Sequence, residues 1–361
     1  MTIVITYEHR YTINRFLKFW AIALRGKVRF IYYSDLAFRK TLPRDVTIFT
    51  DLERVSPAQL ELAAEAAGQL RAAGVRVLNE PSRVLCRYDL LRALKADGIN
   101  NFNVYRTSDD RSALKFPAFV RRENEHQGSL TPLLNTAQEL EDALKQAIQN
   151  GLKSAELLIV EFCATADEDN LFRKYSAFVI GQRFIPRHLL FSRGWMVKDP
   201  DLKGELYVRE ENEYLAQKPH PHEAPLRAIF QRAGIDYGRI DYSLMNGKIQ
   251  VWEINTNPNI VPASAFAPER AVSQNEARDQ VCAAMQYLHD EFARSKTNGS
   301  TPAASKTIAF QVSPALQQRL GILAQDHRFR SLRQLLRPFR PVRIKGFIRS
   351  RVIYPLKMRF Q

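Results

Sequence analysis

Residues 251–260 read VWEINTNPNI. Val251, Trp252 and Ile254 suit a buried strand, but Glu253 and Asn255 do not. Residues i and i+2 of a strand share a face, so this carboxylate and amide project together. A further acid, Asp241, lies in the preceding strand pattern RIDYSLM (239–245), across Asn246-Gly247. A two-residue type I′ turn there pairs 241 with 252 and points Asp241 away. A three-residue loop, 245–247, pairs 241 with 251 and brings Asp241, Glu253 and Asn255 to one face. The three therefore join only if the loop is odd in length. Two carboxylates and an amide oxygen are hard donors suited to Mg²⁺, which commonly bridges to substrate phosphates. The competing reading is that the acids decorate an exposed hairpin face.

Composition bounds what surrounds this constellation. The chain has 361 residues, 45% hydrophobic and 25% charged, enough for two or three domains with cores of their own. No apolar run is long enough to span a membrane, and MTIVITYEHR has no signal-peptide pattern. Three scattered cysteines, Cys86, Cys163 and Cys282, read as buried thiols in a reducing, cytoplasmic setting. The formal net charge is +15. His327–Gln361 holds nine Arg and two Lys with no acid, or +11, leaving 15 − 11 = +4 for the rest. The basicity belongs to a C-terminal extension.

The elements that must position the hairpin follow in order. TIVIT (2–6), VRFIYY (28–33), VTIFT (46–50) and VRVL (75–78) read as strands, alternating with helices at 11–24 and 56–73. Ser56 is the expected N-cap of the second helix, Pro57 its first residue and Gly74 its end. This alternation predicts a parallel α/β domain over 1–84, without a dinucleotide or P-loop glycine pattern. Beyond it come a helix at 86–97, strands at 102–106, 116–121 and 157–162, and a helix at 136–150. A hairpin over 175–191, a helix at 223–234, the opening hairpin and a helix at 269–294 complete the pattern. A polar linker is expected at 295–307 and a basic extension at 308–361.

The segment GRIDYSLMNGKIQVWEINTNPNI resembles the metal-binding end of the ATP-grasp superfamily, whose pattern is an Asp, about a dozen residues, then Glu-x-Asn and a Pro. Asp241, Glu253, Asn255 and Pro258 match it. LNEPSRVLCRYDLLRALKADGINNFNVYR, FPAFVRRENEHQGSLTPLL, LLIVEF and DEDNLFRKYSAFVIGQRFIPRHLLF resemble further family segments in the family's order over 79–260. The resemblance implies an α/β architecture: a Rossmann-like domain (1–84), then a two-subdomain α+β ATP-grasp fold (85–155 and 156–294). It implies ATP with two Mg²⁺ ions, or Mn²⁺ in their place, held by Asp241, Glu253 and Asn255. Where the family has two phosphate-binding lysines, this chain has Arg87 and Arg121, which can hold phosphate bidentately. His126, Gly128 and Ser129 fall in the loop over the phosphates, and Val160, Glu161 and Phe162 at the adenine hinge. Asp167 falls near ribose, Lys174 near the α- and β-phosphates, and Arg187 where the transferring phosphoryl group is stabilised.

The activity so implied is carboxylate–amine ligation through an acyl-phosphate, of the EC 6.3 class, with a small-molecule or peptide acid and an amine as substrates. The alternative is a nucleotide-binding regulatory or scaffold protein with little turnover, motivated by the two arginines and a glycine-poor loop. Phosphoryl transfer without amide formation is a third reading. His220 and His222 read as a proline-bound loop, not metal ligands. The extension HRFRSLRQLLRPFRPVRIKGFIRSRVIYPLKMRFQ is broken by Pro338, Pro341 and Pro355. Its mix of arginine and apolar residues suits an anionic membrane surface or a partner protein, or packing of its arginines on acidic surfaces of the chain itself, and it lacks an RNA-binding motif.

Overall fold

The computed structural model describes residues 1–126, 128–198, 204–261, 270–297 and 305–320, with side chains to 291 in the helix that ends at 297. The chain divides into a unit Met1–Gln311 and a unit Val312–Gln361. The second is described only over 312–320, helical from 314, so the contacts expected of 327–361 lie outside the described residues. No described helix is long and apolar enough to cross a membrane.

The first unit begins with β1 (Thr2–Ile5), α1 (Tyr11–Phe19), β2 (Arg29–Tyr32), α2 (Tyr33–Leu36), β3 (Thr41–Pro43), β4 (Thr47–Phe49), α3 (Pro57–Ala72) and β5 (Val77–Leu78). Strands β2, β1, β4 and β5 form a parallel sheet in that order. Helix α3 starts as its sequence demands. Ser56 Oγ accepts from Gln59 N at 3.3 Å and Gln59 Oε1 accepts from Ser56 N at 3.0 Å, a capping box that satisfies two otherwise orphaned donors.

Next come α4 (Arg87–Ala96), β6 (Val104–Arg106), β7 (Ala118–Arg122), α5 (Ala137–Gln149) and β8 (Leu157–Glu161). Their strands make an antiparallel sheet of order β6-β8-β7. A second antiparallel sheet, order β10-β9-β11-β12, is built from β9 (Phe172–Ile180), β10 (Arg183–Ser192), β11 (Tyr237–Met245) and β12 (Lys248–Asn255). Helices α6 (Glu205–Ala216) and α7 (Glu223–Arg232) precede β11, and α8 (Ala271–Thr297) follows β12. The fold is thus mixed α/β, with one parallel sheet and separate antiparallel sheets. Helix α6 and the short β3 were not legible in the sequence. Strand β13 (Thr307–Ala309) pairs antiparallel with β3, so chain expected to open the extension belongs to the first unit.

Two polar joints fix the parallel sheet against β11 and β12. Asn79, buried with φ +60°, donates to Phe49 O at 2.9 Å and Tyr237 O at 2.7 Å. Its carbonyl accepts from Asp236 N at 2.9 Å and Tyr237 N at 2.8 Å. Asn257 donates to Asp51 Oδ1 at 2.9 Å and accepts from Thr12 Oγ1 at 2.6 Å. Thr256 Oγ1 donates to Glu53 Oε2 at 2.7 Å and accepts from Leu52 N at 3.1 Å. The polar run after β12 is therefore largely buried docking chain, with Thr256 and Asn257 held by partners near the parallel sheet.

The β11–β12 turn overturns the odd-loop condition. Met245 pairs with Lys248, with Asn246 at φ +51° and Gly247 at φ +73°, a two-residue type I′ turn. The missing residue is supplied further along by a β-bulge. Tyr242 pairs with Val251 but Asp241 with Glu253, leaving Trp252 as the extra residue. A bulge sets two residues against one, and the slip returns Asp241 to the face of Glu253.

Candidate active site

A cleft partly open to solvent lies between the β6-β8-β7 and β10-β9-β11-β12 sheets. Strand alternation aims Phe119 and Arg121 of β7 into it, Phe172 and Lys174 of β9, and Asp241 and Ser243 of β11. Trp252 and Glu253 are adjacent in sequence yet both line it, because the bulge breaks alternation there. Trp252 stacks on Phe102 at 5.1 Å and donates to Ser243 Oγ at 2.9 Å. One end of the cleft is apolar: the Trp195 ring lies 4.8 Å from Phe119 and 5.9 Å from Phe162. The other end carries Arg121, His126, Lys174, Lys198, Asp241 and Glu253.

Glu253 is the electrostatic centre of that end. It accepts from Arg87 Nη2, lies 3.7 Å from Arg121 Nη2 and is bonded to His126 Nδ1 at 3.1 Å. Burial works against its charge, but Arg87, His126 and Arg121 outweigh burial and hold its carboxyl well below the usual range. The far nitrogen of His126 meets Glu53 at 3.3 Å. Burial pushes the imidazole down, yet Glu253 and Glu53 together keep it above its ordinary value. Glu53, buried but paired with His126, Arg54 and Thr256, is held at about 2. Burial, then the like charge of Arg87, pushes Arg121 down to about 9.

The loop after β7 is fixed by the same residues. Arg87, at the first position of α4, donates to the carbonyls of Glu123 and, at 2.9 Å, Glu125. Gly128, at φ +94°, lies so close to Lys198 that a Cβ would sit 2.3 Å from its Cε. The Nε atoms of Arg87 and Arg121 are buried without a hydrogen-bond partner. The Arg121 guanidinium, which lines the cleft, can meet an anion there.

The residues expected from the sequence divide. Arg121, His126, Gly128, Phe162, Lys174, Asp241 and Glu253 line the cleft. Ser129 sits beside it, bridged to Arg121. Arg87 lies behind Glu253. Asn255 does not reach the cleft wall, and its Oδ1 accepts from Asn257 N at 2.8 Å. Val160 is packed in a core with Leu158 and Phe119.

Glu161 is a buried cap, accepting from Asn103 N at 2.8 Å and Lys115 N at 3.0 Å. The amides of Glu161 and Phe162 donate to Asn103 O at 3.0 Å and Pro117 O at 2.8 Å. Those amides are spent within the sheet, and Phe162, Cys163 and Thr165 meet the cleft instead. Asp167 sits outside the cleft, pairing at 2.9 Å with Arg173, which Asp169 and Glu210 also hold, each at 2.7 Å.

Arg187 is buried away from the cleft wall. It donates to Gln274 Oε1 and lies over the Trp20 ring at 5.6 Å. Burial, then Arg239, pushes it down to about 9. His220 and His222 pack among tyrosines, with His222 Nδ1 at 2.8 Å from Tyr242 Oη. Trp195, Lys198 and Glu53 were missed. No periodicity marks SRGWMVK, and Glu53 is brought in from the turn after β4, far from β12 in sequence.

The donor set suits a hard divalent cation. Asp241 and Glu253 face each other across the strand pair and offer only carboxylate oxygen. No group of three His, Cys, Asp or Glu positioned for a metal exists among the described residues, so further ligands would be amide, water or phosphate oxygens. Asp241 is met by Arg239 at 3.0 and 3.3 Å, and a cation at either carboxylate shares it with a guanidinium.

No family model and no curated protein matches the chain. Solved structures do resemble it in fold. One is a D-alanine–D-alanine ligase from Bacillus anthracis complexed with ATP, at 13% identity and TM-score 0.46, covering 82% of this chain and 99% of that one. Another is a RimK domain ATP-grasp protein from Sphaerobacter thermophilus, at 15% identity and TM-score 0.42, covering 79% and 98%. A third is a D-alanine–D-alanine ligase from Helicobacter pylori, at 14% identity and TM-score 0.43, covering 80% and 97%.

Proposed function

We propose that the chain is an ATP-grasp protein that binds ATP in this cleft and uses it to activate a carboxylate for attack by an amine. The observation that carries the reading is the cleft itself, with three aromatic rings at one end and four cationic or ionisable donors at the other. Flat apolar walls suit a purine, and converging cations suit a polyphosphate. In this reading residues 1–84 precede an ATP-grasp fold divided between the two antiparallel sheets.

Phe119, Phe162 and Trp195 hold the base. Arg121, Lys174 and Lys198 take the phosphates, and His126 closes the loop above them. A carboxylate oxygen of the substrate attacks the γ-phosphorus as its bond to the ADP oxygen breaks. The amine then attacks the acyl carbon, expelling phosphate, which can carry away the amine proton. Charge on the transferring group is what these side chains stabilise. Asp241 and Glu253 would hold Mg²⁺, which supplies charge neutralisation of the phosphates.

The test is ADP release by purified protein with Mg-ATP and a mixed pool of acids and amines. Release stimulated by the pool, and reduced at least about a hundredfold in Asp241→Asn and Glu253→Gln, supports the reading. Unchanged release in both variants overturns it. ATP binding without turnover instead favours a regulatory role.

A further inference from the structure

The face of α1 and the turn after it is a surface that the nucleotide reading does not use. Helix α1 buries Thr12, Ile13 and Phe16, leaving Tyr11, Asn14 and Lys18 outward at helical spacing. Phe19 is 55% exposed and Ile22 58%, and Lys18 Nζ lies 5.1 Å from the centre of the Phe19 ring. Between residues 9 and 34 the chain carries Arg10, Arg15, Lys18, Arg25, Lys27 and Arg29 and no acid. Arg29 is offset by Asp45 at 3.1 Å. Lys18, Arg25 and Lys27 have no salt bridge among the described residues. Arg25 is fixed at the end of α1 by donating to Leu17 O at 2.9 Å and to Lys18 O.

We propose that this face docks on an anionic phospholipid bilayer, with Phe19 and Ile22 entering the headgroup boundary and Lys18, Arg25 and Lys27 meeting lipid phosphates. Paired apolar and cationic side chains are what an interfacial helix uses. A second copy is disfavoured, because two such faces meeting across a two-fold axis set like charges together. The chain's own basic extension is disfavoured for the same reason. Nucleic acid would engage the cations but leave Ile22 in water.

The experiment uses the full chain, vesicles of phosphatidylcholine alone or mixed with phosphatidylglycerol, and amide hydrogen exchange alongside sedimentation. Exchange over 11–27 should slow on the anionic vesicles and not on the neutral ones, which separates this face from the extension. Phe19→Ser with Ile22→Ser should weaken partitioning about tenfold to a hundredfold, with the unfolding midpoint unchanged. Lys18→Glu with Lys27→Glu serves as an independent variant and should weaken it by at least about tenfold. Partitioning equal to wild type in both variants overturns the proposal. So does protection confined to other residues, or protection of 11–27 that appears with protein concentration and no lipid.

Discussion

Replacing His126 by asparagine removes the imidazole that joins Glu253 at 3.1 Å to Glu53 at 3.3 Å. The loop over the cleft then loses its tie to both β12 and the turn after β4. Each charge-assisted hydrogen bond contributes about 1.5–3 kcal/mol, and the cost of burying a charged ring offsets part of this, leaving about 2 kcal/mol. The penalty must depend on pH. In the fold the imidazole is held above its ordinary value by the two carboxylates, against the opposing effect of burial, while in the unfolded chain it titrates near about 6.5. Its contribution is therefore complete below the unfolded value and is lost as pH rises through the folded one. Glu53, held at about 2, stays ionised throughout that window. Urea unfolding of wild type and His126→Asn should differ by about 2 kcal/mol at about pH 5.5 and by clearly less at about pH 9. A difference that is flat with pH, or grows toward alkaline pH, refutes the bridge.

Arg87→Met should destabilise the protein by about 3–5 kcal/mol, since it leaves Glu253 short of its nearest cation and the 123 and 125 carbonyls without a donor. Urea unfolding measures it, and a loss under about 1 kcal/mol contradicts the buried pairing. Burial pushes the Cys86 and Cys163 thiols up to about 12 and about 11. Both should resist a thiol reagent at neutral pH until the chain unfolds, and fast labelling of the native protein counts against their placement.

Much of the fold was legible because its signals are local. Ser56-Pro57 announced α3 and Asn246-Gly247 announced the hairpin. At the candidate site, Arg121 and Lys174 follow from the family resemblance, and strand alternation speaks only for the Asp241–Glu253 pair. That last pair was reached by the wrong route. Turn chemistry alone requires an odd loop, whereas the observed loop is even and a bulge at Trp252 corrects the register. A bulge of this kind answers to packing, here Trp252 against Phe102, and leaves no residue signature. Glu53, Trp195 and Lys198 come from distant loops, and nothing in their neighbourhood in sequence links them to β12. Glu161 falls at the adenine hinge by the family resemblance, and its carboxylate ties segments of the sheet together, accepting from Asn103 N, Tyr105 Oη and Lys115 N.

A crystal structure of the protein with a non-hydrolysable ATP analogue and Mg²⁺ tests the central claim most directly. The account predicts the base among Phe119, Phe162 and Trp195, the phosphates on Arg121, Lys174 and Lys198, and the cation on Asp241 and Glu253. A nucleotide bound elsewhere, or no cation on Asp241 and Glu253, would contradict it.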